Sequence, residues 1–187
     1  MVPTGVIHGR FQVLHHDHLS YLLAGKARCR HLLVGITNPD PGLTADEAAD
    51  PKRSARDANP LTYFERYQLV RAVLEEAGLQ PAEFSVVPLP INFPQLYRYY
   101  VPLDATFFLT IYDDWGRGKR ERFLALGLTI EVLWEKTPET KGISGAQVRA
   151  AMIAGQPWRH LVPEAAYRLL TQWDIPHRLR HLAAAAP

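Results

Sequence analysis

Residues 9–18, GRFQVLHHDH, gather a glycine, an arginine, an aromatic ring and three histidines at the end of a short apolar run. The run itself, residues 5–9, reads as a strand, and a helix-like pattern starts at His16. The cluster therefore sits where a strand hands over to a helix. A helix N-terminus offers unpaired N–H groups and the positive end of the dipole to an anion. His15 and His18 are three apart and share the first turn of such a helix. Two imidazoles there can donate hydrogen bonds to nonbridging phosphate oxygens as charge develops on them. Helix capping by surface histidines and a zinc site are the competing readings. Zinc lacks a nearby cysteine and does not account for Gly9, Arg10 and Phe11. A second stretch, residues 143–149, reads ISGAQVR. Ser144 and Gly145 would open a helix with a hydroxyl and free N–H groups, and Arg149 adds a planar cation one turn on. A simple capped helix with a solvated arginine is the plain alternative.

The elements that must position these residues alternate strand and helix, the pattern of a parallel α/β sheet. Strands are expected at 5–9, 30–36, 84–88, 105–111 and 129–133. Helices are expected at 16–28, 61–77, 119–126, 145–154 and 163–172, with a short aromatic helix at 94–101. Thr62 and Glu65 have capping-box spacing, and Gly78 supplies a stop. Residues 38–59 break the rhythm as a long loop, and such loops often serve as lids. The tail after Pro176 is basic, then alanine-rich, and is expected to fray.

Composition narrows the function classes. A chain of 187 residues suggests one domain, with a core over about 1–150 and a helical part over about 151–187. A net charge of +2 gives no reason to expect a nucleic-acid partner. No apolar run approaches the length of a membrane span, and the first ten residues do not read as a signal peptide. The single Cys29, expected to pack on the first helix, fits a reducing, cytoplasmic setting.

The run at 9–18 resembles the GRFQPxHxGH signature of the nucleotidylyltransferase superfamily, in the branch of archaeal-type nicotinamide-mononucleotide adenylyltransferases. Residues 143–149 resemble its ISGTxVR signature, and residues 59–66, NPLTYFER, resemble NPFTxxER. Three motifs in order identify the chain as a member of the superfamily. The resemblance implies a Rossmann-like, doubly wound, five-stranded parallel sheet with C-terminal helices. It implies that His15 and His18 touch the triphosphate and that Ser144, Gly145 and Arg149 hold its outer phosphates. Gly9, Arg10 and Phe11 would line the nucleotide and acceptor. The reaction implied is attack by an acceptor oxygen on the α-phosphorus of a nucleoside triphosphate, with Mg²⁺ held largely by the phosphates.

Departures from the pattern shape the expected specificity. The glycine of H-x-G-H is Asp17, expected to cap the helix or, less simply, to bind metal. The relatives' INxNxxW, whose Asn and Trp meet nicotinamide, reads INFPQLY, which leaves Asn92 and Tyr97 as acceptor-binding candidates. After the fourth strand stands YDDWG, where Asp114 could accept bonds from a ribose or an exocyclic amine, or cap the next helix. Lys52, Arg53 and Arg56 in the long loop could close over a small anionic acceptor. These changes resemble a sub-branch that activates small phosphonates with CTP in antibiotic pathways. CTP and a small phosphonate or phosphate are therefore the expected substrates. Adenylyl transfer to nicotinamide mononucleotide and a non-catalytic nucleotide sensor are the rivals. A homo-oligomer is compatible with the chain but unreadable from it.

Overall fold

The computed structural model describes residues 1–41, 58–140 and 142–184. Five strands form one parallel sheet: β1 (Val2–Gly9), β2 (Cys29–Ile36), β3 (Phe84–Pro88), β4 (Thr106–Ile111) and β5 (Thr129–Glu135). Their spatial order is β3-β2-β1-β4-β5. Strands buried on both faces read as continuous apolar runs, as TFFLTI in β4 does. Neighbouring β1 residues face opposite layers, so Ile7 packs in one cluster and Val6 in the other.

The helices α1 (His16–Lys26), α2 (Tyr63–Glu76), α4 (Gly145–Ile153), α5 (Glu164–Gln172) and α6 (Ile175–Ala184) contribute to the larger cluster with Ile7, and α3 (Asp114–Ala125) covers the other face through Phe123. This is the doubly wound sheet expected. The chain reverses direction across the sheet between β1 and β4, the crevice where such folds bind ligands at the carboxyl ends of the strands.

Several boundaries differ for physical reasons. Helix α3 begins at Asp114 rather than at 119, because the Asp113 carboxylate accepts the Gly116 N–H at 2.9 Å and carries the helix through two glycines. The short aromatic helix expected at 94–101 is a 3₁₀ helix over Pro94–Tyr99. Cys29 is buried at the start of β2, not on α1. The tail does not fray before Ala184. It forms α6, whose Arg178 makes a two-pronged ion pair with Glu65 at 2.7 and 2.9 Å. Glu65 also completes the capping box of α2, accepting the Thr62 N–H at 2.8 Å.

One buried side chain ties the mouth of the sheet together. Arg66 is 2% exposed and donates to the carbonyls of Arg10 (3.1 Å), Thr37 (2.7 Å), Asn38 (2.8 Å) and Thr62 (3.2 Å). Burial pushes its guanidinium down to about 10, so it stays charged at neutral pH. Gln12 makes a second tie. Its amide donates to the Leu61 carbonyl at 2.8 Å and accepts the Leu61 N–H at 2.9 Å.

Replacing Arg66 with methionine leaves these carbonyls without their shared donor. Hydrogen bonds to charged groups carry about 1.5–3 kcal/mol each, so urea denaturation should show a loss of about 3 kcal/mol or more. The Glu65–Arg178 pair makes a pH prediction. Burial alone would raise the Glu65 carboxyl, but the Arg178 and Thr62 hydrogen bonds outweigh it and hold the group below its ordinary value of 4.5. The folded protein then binds that proton less readily than the unfolded chain. The pair stabilises the fold above the ordinary value and loses its effect as pH falls through the lower folded one. The stability gap between wild type and Arg178→Ala, measured in urea, should narrow as pH falls below 4.5, leaving what the Arg178 bond to the Pro60 carbonyl contributes.

Candidate active site

The carboxyl ends of β1 and β4 open into a cleft of about 430 Å³. On one side it is bounded by the N-termini of α1 and α4. His15 is the N-cap of α1 and 4% exposed, and its ring stacks on that of His18 with centroids 3.8 Å apart. Phe11 fixes the far side of His18, edge-on at 5.1 Å. Its backbone turns with φ +52°, and a Cβ on Gly9 would meet the Phe11 ring at 2.9 Å, so the small residue at 9 is needed for the ring to fold back. Burial first, then His15 and Arg10, holds the His18 ring well below the usual imidazole value of 6.5, so it is neutral near pH 7.

Helix α4 closes onto the same loop. Ser144 is its N-cap and accepts the Gln147 N–H at 3.2 Å, while Arg149 donates to the Gln12 carbonyl. A Cβ on Gly145 would lie 2.8 Å from the Gln12 carbonyl oxygen. Backbone cannot step aside from that, so glycine sets how near α4 comes to the β1–α1 turn.

Gly9, Arg10, Phe11, His15, His18, Asn92, Ser144, Gly145 and Arg149 thus line one cleft. Two candidates do not. Tyr97 is 1% exposed, with its ring edge-on to Phe123 and its hydroxyl donating to the Ile91 carbonyl at 2.6 Å. The Asp114 side chain is fully exposed and pairs with Arg117 at 3.1 Å, and the neighbour that lines the cleft is Asp113. Asp17 does not cap α1, whose N-cap is His15. It faces the cleft from the first turn and lies against Gly142, where a Cβ would be 2.5 Å from its carboxylate. Lys52, Arg53 and Arg56 lie outside the described residues.

The opposite wall is formed by His8 and Lys119, which the sequence did not point to, with Tyr112 and Trp115 of the YDDWG turn. Trp134, also missed, lines the cleft with its ring edge-on to Tyr21 of α1 at 6.2 Å. Lys119 lies over the Trp115 ring at 4.5 Å, and Trp134 donates to the Tyr112 hydroxyl at 2.8 Å. Trp134 reaches the cleft through a β-bulge. Leu109 pairs with Val132, but Thr110 pairs with Trp134, so β5 slips by one residue. His8, Tyr112 and Trp134 all lie at strand ends, and that rule alone could have flagged them.

Fold and cleft together define a nucleotidylyltransferase, and the comparisons with known proteins agree. The chain is 51% identical over 177 residues to the phosphonoformate cytidylyltransferase of Streptomyces viridochromogenes, covering 95% of each chain. It belongs to that cytidylyltransferase family. The nicotinamide-nucleotide adenylyltransferase of Thermococcus kodakarensis is more distant, at 26% identity over 98% of this chain and 90% of its own. Among solved structures, a bifunctional NMN adenylyltransferase/ADP ribose pyrophosphatase from Francisella tularensis shares the fold with a TM-score of 0.60 at 15% identity. The match covers 98% of this chain and 52% of that longer one. A putative nicotinate-nucleotide adenylyltransferase from Vibrio parahaemolyticus gives a TM-score of 0.56 at 14% identity, covering 94% and 96%. No family model matches the chain. Among the described residues no helix is long and apolar enough to cross a membrane.

The neutral state of His18 is testable. In the nucleotide-free protein its ring should titrate well below 6.5 by NMR. A bound triphosphate should raise that value, because nearby negative charge favours the cation. Loss of one positioned donor to developing charge costs about 100- to 1,000-fold in turnover, the drop expected for His18→Ala with nucleotide affinity little changed.

Proposed function

We propose that the protein transfers CMP from CTP to a small phosphonate bearing a carboxylate, with phosphonoformate as the model acceptor. An acceptor phosphonate oxygen attacks the α-phosphorus, the bond from that phosphorus to the bridging oxygen breaks, and pyrophosphate leaves. The observation that carries this reading is the 51% identity, spread over 95% of both chains, to a phosphonoformate cytidylyltransferase. The position of Tyr97 supports it. The ring that replaces the relatives' nicotinamide-facing Trp is buried in the core, so it offers no stacking surface in the cleft.

His15, His18, Ser144 and Arg149 are the triphosphate-binding groups in this reading. The N-termini of α1 and α4 supply the surrounding N–H groups. The neutral His18 ring beside His15 still donates one hydrogen bond, without the desolvation cost of a buried cation before the substrate arrives. The fixed stack of His15 on His18 pre-orients those donors.

The cleft fits Mg²⁺ delivered on the nucleotide rather than a protein-built cage. Among the described residues no three metal-binding side chains gather, and of the two cleft carboxylates Asp113 already accepts the Gly116 N–H. Asp17 and the Asp113 oxygen not engaged by Gly116 are the carboxylate groups that would hold the ion. When bound, Mg²⁺ neutralises charge on the outer phosphates.

The test is product identification by mass. Purified protein with Mg²⁺ is given CTP and phosphonoformate, or ATP and nicotinamide mononucleotide. The expected result is a CMP–phosphonate adduct with stoichiometric pyrophosphate. Efficient NAD formation without phosphonate-dependent pyrophosphate would replace this reading with the adenylyltransferase one.

A further inference from the structure

His8 belongs to none of the sequence motifs, yet it is the most unusual buried group in the cleft. It lies in β1 opposite Gly35 of β2, two residues beyond Val6, the last residue of β1 paired with β4. Its ring points to the α3 side of the sheet, 5.4 Å from the Phe123 ring. It is 8% exposed, and both ring nitrogens are buried without a hydrogen-bond partner among the described residues. Buried polar atoms are nearly always paired, and an unpaired one costs on the order of a lost hydrogen bond. A core position with no chemistry to do would be better filled by leucine. His8 instead lines the cleft.

Its surroundings say which kind of ligand. Lys119, half-buried on α3, lines the same wall, as does Asn92 from the segment after β3. Asp113 shares this wall, with one carboxylate oxygen taken by the Gly116 N–H. Burial, and secondarily the Lys119 charge, hold His8 neutral, which makes it a donor through one nitrogen. A neutral donor beside an ammonium suits an anion. The triphosphate groups named above occupy the other wall, at the N-termini of α1 and α4.

We propose that His8 and Lys119 form the subsite for the carboxylate of the acceptor, the group that tells a carboxylated phosphonate from a plain one. The assignment rests on the phosphonate reading above and adds the residues that would read the second anionic group. In phosphonoformate that carboxylate is bonded directly to phosphorus. Holding it against β1 and α3 leaves the phosphonate oxygens turned toward the triphosphate wall.

The experiment compares phosphonoformate with methylphosphonate, which lacks the carboxylate, in wild type, His8→Leu, His8→Asn and Lys119→Met. Two readouts are taken: steady-state kinetics with CTP, and calorimetric binding of each phosphonate without turnover. Thermal melts check folding, and Lys119→Met alters a helix surface, so it remains informative if His8→Leu unfolds. Wild type should prefer phosphonoformate. His8→Leu and Lys119→Met should each reduce that preference by about 10- to 100-fold, the worth of a hydrogen bond to a charged group, with the CTP Michaelis constant moving far less. His8→Asn, which keeps a donor, should recover part of it. An unchanged preference, or equal weakening of both phosphonates, would overturn the subsite while CTP turnover stood. If no phosphonate were turned over with CTP, the functional reading would fall, and calorimetry would still decide the subsite. His8-dependent preference in binding would uphold it, and a wild type with no preference would end it.

Discussion

A buried guanidinium bonded to backbone carbonyls on three separate segments holds the mouth of this sheet in shape. Parallel strands end in carbonyls that need donors, and the loops that follow them carry more. Arg66 reaches the β1–α1 turn, the segment after β2 and the N-cap of α2 from one planar group. A lysine at the same place would be a single point of charge and could not span them. Because the bonds run to main chain, they set backbone positions directly. The β1–α1 turn that carries His15 is thus braced by Arg66 through Arg10, by Leu61 through the Gln12 amide, and by Arg149 through the Gln12 carbonyl. Preorganisation of this kind is what lets donors stabilise charge without moving at the moment of reaction.

The cleft that results has two walls of different character. One is backbone-rich, built from helix N-termini, stacked imidazoles and the close approach that Gly145 permits. The other is side-chain-rich, with Tyr112, Trp115, a buried histidine and a lysine. The first wall is what the sequence motifs describe, because recognition of a triphosphate needs local chemistry at fixed spacing. The second is assembled from the ends of different strands and carries no such spacing.

That contrast explains what could be read from residues alone. The succession of strands and helices, the paired histidines, the capping box and the Ser-Gly helix start all depend on neighbours within a few positions. Asp113 capping α3 was hidden because Gly116 and Gly118 argue against a helix there on propensity, about 1 kcal/mol each, and tertiary packing against Ile111 wins. Helix α6 was hidden because its anchor, Arg178 on Glu65, joins positions 113 apart. Tyr97 misled because correspondence with relatives places a residue in a segment but does not say which way a 3₁₀ turn faces. Trp134 depended on a bulge, which exists only in the pairing of two strands.

The central place of β1 also governs how the chain can be made. Gly5 pairs with Thr106, so β1 waits roughly a hundred residues for its second neighbour. At ribosomal speeds of 5–20 residues per second, that leaves one flank of β1 as an open edge for about 5 to 20 s during synthesis. Val6 and Ile7 lie on that edge, and apolar edges invite pairing with other chains. Ser144 and Arg149, which hold the nucleotide in the proposed reading, are translated later still, so on that reading nucleotide cannot act as a folding template for the early sheet. The emerging chain must protect its central strand with α1, β2 and whatever the cell supplies until β4 arrives.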